Sequence, residues 1–119
     1  MQSFQYAFAG IWYTLKTQRN AQIHVSIGVI IFLLGLSLGL TLTEWAIIVL
    51  TMGFVLATEM INTVAEAAMD VMTTEFHPQI KVVKDVAAGA VLTSAITAVI
   101  VGLLILGPRL LTFLTLFFV

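Results

Sequence analysis

A stretch of lipid-like residues, ATEMINTVAEAAMDVM, carries four groups that a bilayer normally excludes: Glu59, Asn62, Glu66 and Asp70. At about 100° per residue, the last three lie roughly −60°, −20° and +20° from Glu59, so all four project from one narrow stripe of a helix. An unpaired carboxylate in hydrocarbon costs several kcal/mol, roughly, and an intramembrane acid therefore marks a working site by default. Three acids on one stripe must meet cations, water or a metal. With five Lys and Arg in the whole chain, the expectation is that something bound from outside supplies the positive charge.

The surrounding chain is built for oil. Of its 119 residues 61% are hydrophobic and 9% are charged, and the mean hydropathy is +1.12. A soluble domain would hold about a quarter charged residues, so the composition implies an integral membrane protein. The length suits one small domain over residues 1–119, too small to enclose a deep site alone, so several copies are expected to pack together. The absence of cysteine excludes disulfides, thiol catalysis and thiolate-bound metal. A net charge of −1 without a basic run gives no reason to expect nucleic acid. The start, MQSFQYAFAG, lacks the basic and apolar regions of a cleaved signal peptide.

The pattern predicts an all-α membrane protein. Residues 3–16 read as an amphipathic interfacial helix, with Phe4, Phe8, Ile11, Trp12 and Leu15 on one face. Three spans follow, near 21–42, 44–72 and 81–106. The first carries Gly28, Gly35 and Gly39 on one stripe, suited to close helix approach. Thr43 is the expected N-cap of the second span, with Glu44 in its first turn. Pro78 marks a break, and the third span begins near Lys81, with Lys84, Ala88, Ala95, Ala98 and Gly102 on its packing stripe. Gly107–Pro108–Arg109 is expected to end it, leaving an apolar tail, 110–119, at the interface or packed on the bundle. Lys16, Arg19, Lys81 and Lys84 lie on one side and only Arg109 on the other, which puts the amino terminus and the 73–84 connection in the cytoplasm.

Glu59 is the deepest acid. Apolar surroundings disfavour the charged form of a carboxyl, which suits a general base acting on a lipid hydroxyl. The plainer reading is a protonated glutamic acid bonded to a neighbouring helix. Glu66 and Asp70, one turn apart, suit Mg2+ held together with phosphate oxygens, or else a solvated helix end. Lys84 can neutralise charge on a transferring phosphoryl group, while Asp85 caps the third helix, orients Lys84 or meets nucleotide. Lys81 reads as a surface residue. His24 and His77 lie over fifty residues apart and suit polar packing or nucleotide contact better than a metal. No Walker loop, Gly-rich dinucleotide turn or nucleophile elbow is present.

Glu59-x-x-Asn62-Thr63-x-x-Glu66-x-x-x-Asp70, followed by His77-Pro78 and then Lys84-Asp85-x-Ala87-Ala88-Gly89-Ala90-Val91-Leu92, closely resembles the small bacterial integral-membrane lipid kinases. These are the prokaryotic diacylglycerol kinases and undecaprenol kinases, and the resemblance covers nearly the whole chain. It implies a homotrimer of three-span protomers in the bacterial cytoplasmic membrane, with active sites between subunits. ATP and Mg2+ would enter from the cytoplasm and the lipid alcohol from the bilayer. Glu59 matches the family's catalytic base and Glu66 its metal-binding glutamate. Tyr6, Glu75, His77, Lys84 and Asp85 match nucleotide-contacting positions. Asn62 matches a polar residue beside the base, and Asn20 and His24 fall where the lipid headgroup is met.

One position departs from the family: Gln18 stands where a second metal-binding glutamate is common, offering only a neutral carbonyl oxygen, with water or Asp70 to help. The His77-Pro78 loop and the KDVAAGAVL segment look more like the undecaprenol kinase branch. A small oligomeric proton-coupled transporter using Glu59 is the alternative. It leaves the clustering of Glu66, Asp70, Lys84 and Asp85 at one surface without a purpose. A non-catalytic assembly subunit would need none of these charges.

Overall fold

The polypeptide changes direction first at Gln18, whose extended backbone (φ −103°, ψ 112°) separates two helices. In the computed structural model, which describes residues 2–118, the chain forms α1 (Gln2–Thr17), α2 (Arg19–Leu38), α3 (Leu42–Met72) and α4 (Pro78–Phe118). Gln18 makes no side-chain cap. Instead the Gln22 amide donates to the carbonyls of Leu15 (2.9 Å) and Lys16 (3.2 Å), satisfying acceptors that the end of α1 leaves open. On α1, Thr14 is buried and Ile11 and Leu15 are half-buried, while Phe4, Phe8 and Trp12 face outward. That division suits a helix resting on a bundle with its aromatic rings at headgroup depth.

Helices α2, α3 and α4 are each long and apolar enough to cross a membrane. α3 and α4 share the most extensive interface. Its centre is a polar contact: Thr58 and the fully buried Ser94 share a hydrogen bond of 2.8 Å. Whichever hydroxyl accepts is free to donate to its own carbonyl three residues back, Val55 or Val91. Ala87, Val91 and Ser94 form the buried stripe of α4 at this level, whereas Ala88, expected on it, is exposed.

The helix ends differ from the sequence expectation in four places. α2 stops at Leu38 because Gly39 adopts a left-handed conformation (φ 65°, ψ 47°), so Gly39 closes the helix and takes no part in a packing stripe. The N-cap of α3 is Thr41, not Thr43. Thr41 Oγ1 accepts from the Glu44 N–H (3.2 Å) and Glu44 Oε1 accepts from the Thr41 N–H (3.0 Å), a reciprocal box that needs three-residue spacing. α4 begins at Pro78, since proline fits the first helical position, and His77 Nδ1 accepts the Gln79 N–H at 3.1 Å as the cap.

The fourth difference is the largest. Pro108 lies inside α4, which continues to Phe118, so Gly107–Pro108–Arg109 does not end the third span and the tail is its continuation. Proline forfeits one backbone donor, a loss that membrane helices tolerate where neighbours re-satisfy the freed group. Here Arg109 anchors the region. Its guanidinium pairs with Glu44 and donates to the Gly39 carbonyl (3.3 Å), fastening α4 to the α2–α3 turn. At about 1.5 Å per residue, the 41 residues of α4 measure about 61 Å, roughly twice a hydrocarbon core of about 30 Å.

Of the glycines on the α2 stripe, Gly35 is the one that packing requires. A Cβ there would meet Trp45 Cη2 at 2.7 Å, and Trp45 is already packed at a tilt of 56° against Phe32 with ring centroids 5.3 Å apart. At Gly28 a Cβ would touch Met52 Sδ at an ordinary 3.7 Å. Gly35→Ala is therefore expected to destabilise the bundle by about 1–3 kcal/mol through overpacking, while Gly28→Ala leaves it unchanged. Thermal unfolding in one detergent checks the pair, and equal midpoints would refute the contact.

Candidate active site

Polar residues collect in two zones of this bundle, one inside the spans and one at an end. The inner zone centres on Glu59, which is 2% exposed and among the largest fully buried side chains. From α2, His24 Nδ1 lies 2.8 Å from Glu59 Oε1. The ring N–H is not aimed squarely at that oxygen, so the contact has ion-pair distance without ordinary hydrogen-bond geometry, and neither atom has another partner. One proton shared between them would satisfy both. The His24 side chain keeps 25% of its surface open.

One turn along α3, Asn62 Nδ2 makes a long contact of 3.4 Å to Glu66 Oε1, while Asn62 Oδ1 is buried with no partner. Glu66 has no cation beside it among the described residues. A carboxylate next to an orphaned amide oxygen is a donor set for a hard cation, and Mg2+ takes one or two carboxylates and completes its shell with water and phosphate. Among the described residues no group of three acids or histidines could hold a metal. The residues therefore fit Mg2+ as a partial shell. The Gln18 side chain, at the α1–α2 break, donates to the Thr17 hydroxyl at 3.5 Å.

The outer zone lies where α3 gives way to α4. The Thr73 hydroxyl accepts the Glu75 N–H (3.0 Å), shaping the turn that brings His77 and Pro78 round to start α4. The result is a hollow of about 470 Å³, whose lining includes Asp70, Glu75, Phe76, His77, Lys84 and Asp85. Five of the site residues expected from the sequence thus share one concavity. Lys84 Nζ donates to Asp70 Oδ1 at 2.7 Å across α3 and α4. Asp85 neither caps α4, whose first turn lies seven residues earlier, nor orients Lys84. It pairs with Lys81, four residues back on the same face, and Lys81 is accordingly a paired residue of the hollow.

Several expectations are not met within one protomer. Tyr6 is 72% exposed on α1, and neither Tyr6, Gln18 nor Asn20 lines the hollow. Asp70, expected to need an external cation, has Lys84, and Glu59 has His24. Sequence reasoning missed Phe76, which is 80% exposed in the hollow, although an aromatic ring inside a polar connection was a usable signal. It also missed the His24–Glu59 contact, which joins residues far apart in sequence.

Known proteins match this sequence along most of its length. The family model for prokaryotic diacylglycerol kinase matches residues 5–106. The undecaprenol kinase of Bacillus subtilis is 41% identical over 108 residues, covering 91% of this chain and 88% of that protein. The diacylglycerol kinase of Synechocystis sp. is 42% identical over 111 residues, covering 92% of this chain but 63% of the relative. With its three membrane-length helices and its acid-lined α3, the chain belongs to the prokaryotic diacylglycerol kinase family of membrane lipid kinases.

Proposed function

We propose that this protein transfers the γ-phosphoryl group of ATP to the hydroxyl of a membrane lipid alcohol, undecaprenol in preference to diacylglycerol, as a homotrimer in the bacterial cytoplasmic membrane. The observation that carries this reading is that one helix bears both the buried Glu59 and, eleven residues on, the rim of the surface hollow. At about 1.5 Å per residue that separation is about 16 Å, with Glu66 between. A nucleotide seated in the hollow can point its phosphates along α3 towards a lipid hydroxyl beside Glu59. A proton carrier needs only the deep acid and leaves the hollow without a purpose.

Each group then has a task. Lys84 exchanges Asp70 for phosphate oxygens and offsets their charge, the main form of catalysis in phosphoryl transfer. Asp70, Glu75, His77, Asp85 and Phe76 shape the nucleotide seat. Glu59 is the base that ultimately takes the hydroxyl proton, and Asn62 and Asn20 hold polar groups near it. Mg2+, held by Glu66 with Asn62 or Gln18 beside it, would supply charge neutralisation on the phosphates. Tyr6, Gln18 and Asn20 stand away from the hollow in one protomer, which supports a site completed by a neighbouring copy. Lys81 and Lys84 at the hollow, read with Lys16 and Arg19 against the lone Arg109, support its cytoplasmic placement. The preference for undecaprenol rests on the relative of that name, most of whose length the chain spans.

Purified protein given radiolabelled ATP and Mg2+ is expected to label undecaprenol more efficiently than diacylglycerol or ceramide in identical micelles; labelling of none of the three would refute the reading. Glu59→Gln should cut turnover by about 10²–10⁴-fold with the oligomer intact, and full turnover would remove Glu59 from the chemistry. Lys84→Ala should raise the KM for ATP. Because the Lys84–Asp70 pair is solvent-exposed, that variant should change unfolding stability by less than about 1 kcal/mol. Gln18→Glu should lower the Mg2+ concentration needed for half-maximal rate, and an unshifted titration would show that position 18 is no ligand.

A further inference from the structure

Glu59 is 2% exposed, and its Oε1 is fully buried. His24 covers it. Nδ1 of His24 is buried against Glu59 Oε1 at 2.8 Å, so the open quarter of the imidazole is its other edge, which carries Nε2. Among the described residues no other charged group lies within ion-pair distance of either partner: Lys84 on α4 is held by Asp70, and on α1 and the head of α2 Lys16 and Arg19 are exposed and make no ion pair. Glu66 on α3 is engaged with Asn62.

We propose that His24 is a catalytic residue, the group that meets the acceptor hydroxyl and passes its proton inward to Glu59. This rests on the lipid kinase reading. A carboxylate behind an imidazole holds the ring in the tautomer with its proton on Nδ1, as in the acid–histidine pairs of hydrolases; unlike the acid there, the buried Glu59 also takes that proton. The lone pair on Nε2 then faces the substrate. The hydroxyl O–H bond breaks as its proton moves to Nε2, and the Nδ1 proton shifts to Glu59 Oε1. The acceptor oxygen bonds to the γ-phosphorus while the bond to the β–γ bridging oxygen breaks, and ADP leaves with that electron pair. After release the proton returns from Glu59 through the ring to water. The inner transfer, from Nδ1 to Glu59 Oε1, spans 2.8 Å, within the reach that general acid–base transfer demands.

The test uses full-length protein in lipid micelles with ATP, Mg2+ and undecaprenol. His24→Asn keeps a donor on the Nδ1 side but has no basic nitrogen facing outward, and is expected to lower kcat by about 10²–10⁴-fold with little change in the KM for ATP. Added imidazole should restore part of the rate. A variant that keeps kcat and raises only the KM for lipid would overturn the relay and leave a headgroup contact. As an independent readout, ¹⁵N NMR of His24 in the wild type should show the proton on Nδ1, and Glu59→Gln should shift that signal. The opposite tautomer, or no shift, would overturn the pairing even if His24→Asn fails to assemble. Wild-type protein that phosphorylates no lipid alcohol would refute the kinase reading and with it the relay's purpose, while the NMR result still decides whether the pair exists.

Discussion

A carboxyl group cannot rest unpartnered in hydrocarbon, and the architecture of this bundle follows from where its acids find partners. Glu59 is buried on α3 with the imidazole of His24 from α2 at ion-pair distance. That contact ties the two helices, and α1 also packs against both. Lower cost attends the hydroxyls: Thr58, Thr63 and Ser94 lean on backbone carbonyls of their own helices, and Thr58 and Ser94 also meet across α3 and α4. At the opposite end Arg109 joins Glu44 and the Gly39 carbonyl. Polar contacts thus set which helix faces meet, and apolar packing such as Trp45 over Gly35 fills the space between. In lipid, where water cannot compete, such contacts give specificity that apolar surfaces alone lack.

The division of labour along α3 is what makes the fold serve a kinase family. Charge that must exchange partners, Lys84 with Asp70, stands at the exposed end, where an ion pair contributes little to stability and is readily given up. Charge that must handle a proton stands deep, where removing its partner is costly. Glu66 lies between these regimes with no cation of its own. The helix thereby presents a polar hollow at one end and a buried acid deeper in.

Much of this was readable from periodicity. Three spans, an interfacial helix and an acid stripe follow from hydropathy and 100° steps, because those signals repeat over many residues. The ends were harder, since each turns on one or two residues. Thr41 was passed over although Thr41-x-x-Glu44 has capping-box spacing, and Pro78 was read as a break although proline is equally at home starting a helix. Pro108 deceived most, because a proline usually ends a helix and nothing local in the sequence shows that Arg109 fastens this region to a turn some seventy residues earlier in the chain. Of the ion pairs, Lys81–Asp85 was legible from its four-residue spacing. The pairings of Lys84 with Asp70 and of His24 with Glu59 were not, because they depend on how helices dock. Of the residues that the family resemblance singles out for nucleotide contact, Glu75, His77, Lys84 and Asp85 share the hollow and Tyr6 does not.

The buried acid of α3 and the imidazole from α2 stand 2.8 Å apart, a distance that one shared proton would bridge. Infrared difference spectroscopy reads it directly, with Glu59→Gln used to identify the Glu59 carboxyl band. The account predicts that this band moves when His24 is replaced by phenylalanine in protein that remains assembled. A Glu59 band indifferent to the residue at position 24 would contradict it.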